Sequence, residues 1–169
     1  IILYGDLDIS VIDELPPGRQ KIDTYAVTKN MEDRVNEFAK KELKDGRQVY
    51  VVCPLVEDSE QMDLKSVMAR YEYYKEVFKD FHVGILHGKM KPKEKDEIMT
   101  AFKNKEIDLI ISTTVIEVGV DVPNATMMII ENAERFGLSQ LHQLRGRVGR
   151  GSNKSYCILK YEADTKVVK

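Results

Sequence analysis

The chain has 169 residues, 43% hydrophobic and 32% charged, with a formal net charge of −2. That balance fits one globular domain with enough core to fold alone, and it excludes a generally sticky, polybasic nucleic-acid binder. No run approaches the roughly 18 apolar residues of a membrane span and no charged-then-apolar leader is visible, so no membrane partner is expected.

In chain order, residues 1–20 carry turn chemistry in YGDLD and ELPPGR and read as an ordered lead-in, leaving 21–169 as a single globular domain. The apolar start at Ile1 reads as a cut from a longer protein. KIDTYAVT alternates like a strand, with Ile22, Tyr25 and Val27 as inward candidates. Asn30 is placed to cap a helix running to about Asp45 along Met31, Val35, Phe38 and Leu43, and Gly46 to end it. QVYVVCPL is a short, almost wholly apolar run of β-formers, the pattern of a strand covered on both faces. A longer helix is expected from Ser59 to Asp80 on Leu64, Val67, Met68, Tyr71 and Phe78. HVGILHG is the next strand. Pro92 suits the first turn of a helix to about Asn104, with Ile98, Ala101 and Phe102 facing inward. IDLIIS is a strand, TTVIEVG a short turn-helix, TMMIIENA a strand, Leu138 onward a helix and SYCILKY the last strand.

Strands alternating with helices, the strands continuous in apolar residues, make a doubly wound α/β fold: a mostly parallel sheet with helices on both faces. Ligands of such sheets bind at the carboxyl ends of strands. The residues of chemical interest fall there: Pro54, His87-Gly88, Ser112-Thr113-Thr114, and the segment from Ile130 into an arginine run. Cys53 and Cys157 each sit in an apolar strand and read as buried free thiols of a reducing compartment. His82, His87 and His142 lack ligand-like spacing, so no metal is assigned to this chain.

The arginine run QLHQLRGRVGRG is the most informative stretch. From Arg135 to Ser155 there are four arginines and one lysine and no acid. Helical spacing over 138–150 gives an apolar stripe of Leu141, Leu144 and Val148, with Gln143, Arg147 and Arg150 together on the neighbouring face. His142, Gly146 and Gly149 form a third stripe with little bulk. Interior glycines cost a helix roughly 1 kcal/mol each relative to alanine, which points to close approach by another surface rather than to helix stability. Such a helix presents one Gln and two Arg to an anion, and the planar arginine fork suits phosphate oxygens. The competing reading is a solvated basic helix end favoured by the helix dipole.

Two further constellations stand beside it. Ser112, Thr113 and Thr114 follow an apolar strand and can hydrogen-bond phosphate. Asp121 can accept from a ribose hydroxyl, or cap the turn before Pro123. Gly88 and Lys89 in LHGKM can meet a phosphate backbone or simply form a turn. The phosphate-binding pattern G-x-x-x-x-G-K-[ST] is absent: Lys154 in GRVGRGSNKS does not directly follow a glycine. VIDEL at 11–15 runs into Pro16-Pro17 and reads as a turn rather than a metal-binding strand end.

HQLRGRVGR resembles the final motif of superfamily 2 helicases, Q-x-x-G-R-x-G-R, and STTVIEVGVDV the motif before it. VYVVCP and LHGKM are similar to earlier blocks of the same second RecA-like motor domain. Within that superfamily, YGDLDISVIDELPPGR, TTVIEVGVDVPNAT and IIENAERFGLSQLHQLRGRVGRG resemble the RecG family of ATP-dependent DNA helicases across essentially the whole chain. The transcription-repair coupling factor family shares the ENA-RFGL-QLHQLRGRVGR block, but the YGDLD and DELPPGR opening is RecG-like. The residues also admit another superfamily 2 motor, or a non-catalytic α/β module that binds nucleic acid.

The resemblance implies half of a motor that remodels branched DNA, such as stalled forks and Holliday junctions, in recombination and repair in the bacterial cytoplasm. ATP with Mg2+ would be held mainly by a first RecA-like domain of the same protein, carrying the P-loop, so that this half alone would be inactive. A strand-splitting wedge domain and a translocation motif would flank the motor. Arg147 and Arg150 would reach the γ-phosphate across the cleft, with Arg150 the better arginine finger. Gln143 would sense that phosphate, and Gly119 and Asp121 would contact the ribose. Gly88, Lys89, Thr113 and Thr114 would touch the DNA backbone, in contacts independent of base sequence.

Overall fold

A computed structural model describes residues 22–54, 60–87, 90–113, 124–145 and 154–161. Its elements are β1 (Ile22–Thr28), α1 (Glu32–Lys44), β2 (Gln48–Cys53), α2 (Glu60–Val77), β3 (Val83–Leu86), α3 (Pro92–Lys103), β4 (Leu109–Thr113), β5 (Ala125–Ile130), α4 (Leu138–Arg145) and β6 (Ser155–Tyr161). The strands form one six-stranded sheet in the order β1-β6-β5-β2-β4-β3, and every pairing is parallel. The expected doubly wound α/β sheet is what forms. The lead-in 1–20 and, after Thr113, the rest of the expected turn-helix at TTVIEVG lie outside the described residues.

The central strands explain the unbroken apolar runs. All residues of β2, β4 and β5 are buried, because helices cover both faces. On one face Val35, Ala39 and Leu43 of α1, with Val67 and Tyr74 of α2, pack over Val51, Ile111 and Ile129. On the other, Met99 and Phe102 of α3 and Leu144 of α4 pack over Tyr50, Ile110, Met128 and Leu159. The chain crosses the sheet one way through α1 and α2 and returns through α3 and α4. Connections running in opposite directions put their helices on opposite faces, as a single crossover hand requires.

Helix boundaries follow local chemistry. Gly46 ends α1 in a left-handed conformation, φ +89°, the role expected of it. Pro92 opens α3, where its missing N–H costs nothing, and the Glu94 carboxylate accepts from the Lys91 N–H at 2.9 Å. Asn30 does not cap α1. The chain enters through a 3-10 turn, Lys29–Met31, and the Asn30 side-chain oxygen accepts the Thr28 hydroxyl instead. The long helix ends at Val77, three residues before the expected Asp80, though Phe78 is buried as expected. Inside the core, Gln48 donates to the carbonyls of Phe102 and Ile107, tying the α3–β4 connection to β2. Cys53 and Cys157 are buried free thiols.

Candidate functional site

In an all-parallel sheet the carboxyl ends of the strands share one rim. Here that rim carries Thr28, Cys53-Pro54, Leu86-His87, Thr113, Glu131 and Tyr161, with Cys53 beside Thr113 and Leu86 beside Ser112. The loop after β1 turns to the α1 face and the loop after β5 to the α4 face. β6 ends between these two diverging connections, and the crevice above its end is lined by Thr28, Lys29, Glu32, Arg70, Glu131, Asn132, Lys160 and Tyr161.

Its floor is a charged cluster built by strand alternation. Met127 and Ile129 face α1 and α2, so Glu131, the next residue of that parity, faces them too. Lys160 follows Ile158 in the same way on β6, and the register Ile130↔Leu159 sets the two side by side. Lys160 Nζ lies 3.1 Å from Glu131 Oε2 and 2.8 Å from Glu32 Oε2. Arg70 of α2 bridges the same two carboxylates, at 3.0 Å from Glu131 and 2.9 Å from Glu32. The Tyr74 hydroxyl donates to Glu131 as well, and the Arg70 guanidinium stacks 4.2 Å from the Tyr73 ring centroid. Two acids and two cations balance, which is what makes their burial tolerable.

The electrostatics follow from this packing. Burial acts to raise the Glu32 carboxyl, but hydrogen bonds and charge from Lys160 and Arg70 outweigh it and hold the group below the ordinary range. Burial, then the Glu131 charge, pushes the Tyr74 phenol well above its usual value, so it remains a donor. Burial and the neighbouring Lys95 charge lower His87, which keeps that imidazole neutral at pH 7.

The expected site residues are unevenly placed. Gln143 is exposed on α4 while Leu144 is buried and Leu141 is packed against the core, which is the sidedness its spacing required. Thr113 ends β4 with its side chain buried beside Cys53. Gly88, Lys89, Thr114, Gly119, Asp121, Arg147 and Arg150 lie outside the described residues. Sequence reasoning missed the Glu32–Arg70–Tyr74–Glu131–Lys160 cluster. The available signal was a charge closing each of two apolar strands, in MMIIE and CILKY.

A family model described as helicase conserved C-terminal domain matches residues 30–152. An ATP-dependent DNA helicase RecG of Synechocystis sp. is 56% identical over 160 residues, covering 94% of this chain and 19% of the relative. Its Bacillus subtilis counterpart is 51% identical over 160 residues, covering 94% of this chain and 24% of the relative. The chain thus spans about a fifth to a quarter of the length of these curated relatives. Among solved structures, RecG bound to a three-way DNA junction superimposes with a TM-score of 0.74 at 43% identity, covering 91% of this chain and 20% of that one. The C-terminal domain of the DEAD-box protein Dbp5 superimposes with a TM-score of 0.59 at 20% identity, covering 85% of this chain and 78% of that one, a likeness of fold alone.

Proposed function

Since the chain belongs to the helicase conserved C-terminal domain family, we propose that it is the second motor domain of an ATP-dependent DNA helicase that remodels branched DNA in the bacterial cytoplasm. The observation that carries this reading is the RecG likeness, 56% identity across 94% of the chain, together with a sheet that superimposes on junction-bound RecG. The fold is the RecA-like doubly wound sheet of such domains. Among the described residues no helix is long and apolar enough to cross a membrane.

In this reading a first RecA-like domain of the same protein binds ATP and Mg2+, and this chain supplies the opposing wall. ATP brings a phosphoanhydride whose cleavage drives the motor. Gln143, exposed on a helix whose Leu144 is held in the core, is a hydrogen-bonding group of the right chemistry to face a phosphate. Arg147 and Arg150 supply the guanidinium charge, and such an arginine accelerates turnover on the order of 10³–10⁵-fold in related phosphoryl transfers. Gly119 and Asp121 hold the ribose, while Gly88, Lys89 and Thr114 grip the DNA backbone and Thr113, its side chain buried at the end of β4, supports them from behind.

The test is Arg150→Ala in the full-length protein. DNA-stimulated ATPase should collapse while the melting temperature holds. A variant that loses stability but retains ATPase per folded molecule would make Arg150 structural and remove the finger from this reading.

A further inference from the structure

We propose, on the motor reading above, that Glu131 is a positioning residue for ATP turnover: its buried clamp holds the turn that launches α4 and so sets where Gln143 points.

The turn is held at both ends. At its start the Glu131 N–H donates to Val52 O at 2.8 Å, and the Glu131 side chain crosses to the α1/α2 face to meet Arg70, Tyr74 and Lys160. Asn132 then takes a left-handed conformation, φ +47°, which sends the chain to the opposite face. There Ala133 is buried, Phe136 packs against the core, and Leu144 seats α4. Glu131 is therefore the last fixed point on one face before a reversal that ends in the Gln143 helix on the other.

Three donors converge on one carboxylate oxygen, Oε2 of Glu131. Apolar residues of similar volume often match or exceed the stability of such a buried ionic group. What ions and hydrogen bonds add is direction. Arg70 and Lys160 also bind Glu32 of α1, so α1, α2, β5 and β6 are referenced to one atom at the root of α4.

The test uses Glu131→Gln and Tyr74→Phe in the full-length protein, below the melting temperature of each variant. Two readouts are taken: DNA-stimulated ATPase, and amide hydrogen exchange over residues 131–145. Misplacement remote from the chemistry can cost on the order of 10²-fold. The expected result is a kcat loss of that order for Glu131→Gln with KM for ATP little changed, and a smaller loss for Tyr74→Phe. Exchange should quicken over 131–145 while β2 and β4 stay protected. Should Glu131→Gln fail to fold, Tyr74→Phe decides alone. A folded variant with wild-type kcat, or with unchanged exchange over 131–145, overturns the proposal. Absent ATPase in the wild-type protein would instead count against the motor reading, and the exchange arm would still judge the clamp.

Discussion

Glu131 and Lys160 stand side by side at the carboxyl ends of β5 and β6, Nζ 3.1 Å from Oε2, each side chain 9% exposed. Neither charge is tolerable there alone. Removing one partner of a buried pair typically costs about 3–5 kcal/mol, because the other is left uncompensated. Lys160→Met should destabilise by less than that in chemical denaturation, because Arg70, 3.0 Å from Glu131, still partners the carboxylate. Replacing Glu131 and Lys160 together with apolar residues should cost less than the sum of the single losses. Additive losses would show that the two residues are not coupled.

Stability should fall in acid through Glu32. Its folded-state carboxyl titrates below the ordinary value of 4.5, held down by Lys160 and Arg70 against the opposing effect of burial. A group depressed in this way stabilises the fold above its unfolded value, and the contribution disappears as pH falls through the folded one. Melting temperature measured between neutral pH and pH 3 should drop across that window. Glu32→Gln should flatten the drop; an unchanged acid limb would assign it to other carboxylates.

Gly46 isolates a backbone effect. Its φ is +89°, and a Cβ built there meets nothing within 4 Å. Any cost of Gly46→Ala is then conformational, about 1–2 kcal/mol. Gly46→Asn should cost less, since Asn tolerates left-handed backbone better than Ala does. Equal losses for the two variants would point to a contact rather than to φ.

Cys53 is 4% exposed and Cys157 fully covered. Burial, reinforced by the Glu131 charge, pushes the Cys53 thiol up, so little thiolate forms. Both cysteines should react with an aromatic disulfide reagent only at the rate of unfolding, and both at once in denaturant. Rapid labelling of native protein would contradict the burial.

Much of the fold was legible because its signals are local. Apolar continuity marked β2, β4 and β5, Pro92 marked the start of α3, and Gly46 marked the end of α1. The sidedness of α4 was legible too: Leu141 and Leu144 turn inward and Gln143 outward, as 3.6-residue spacing requires. Asn30 was misread because its neighbour Thr28 offers a hydroxyl that competes for the capping oxygen. The charged cluster was illegible because its members lie up to 128 residues apart, and each alone looks like an ordinary surface charge.

Local pattern alone specifies that strands alternate with helices and which residues turn inward, since pleat and helical period are properties of a few neighbouring residues. It also carries the Gln–Arg pattern on which the helicase resemblance rests. That β6 lies between β1 and β5 emerges only in the assembled sheet. That order depends on the direction of each crossover, which no local pattern records. It is what brings Lys160 to Glu131 and Glu32, and turns isolated charges into one balanced, partly buried cluster at the root of α4.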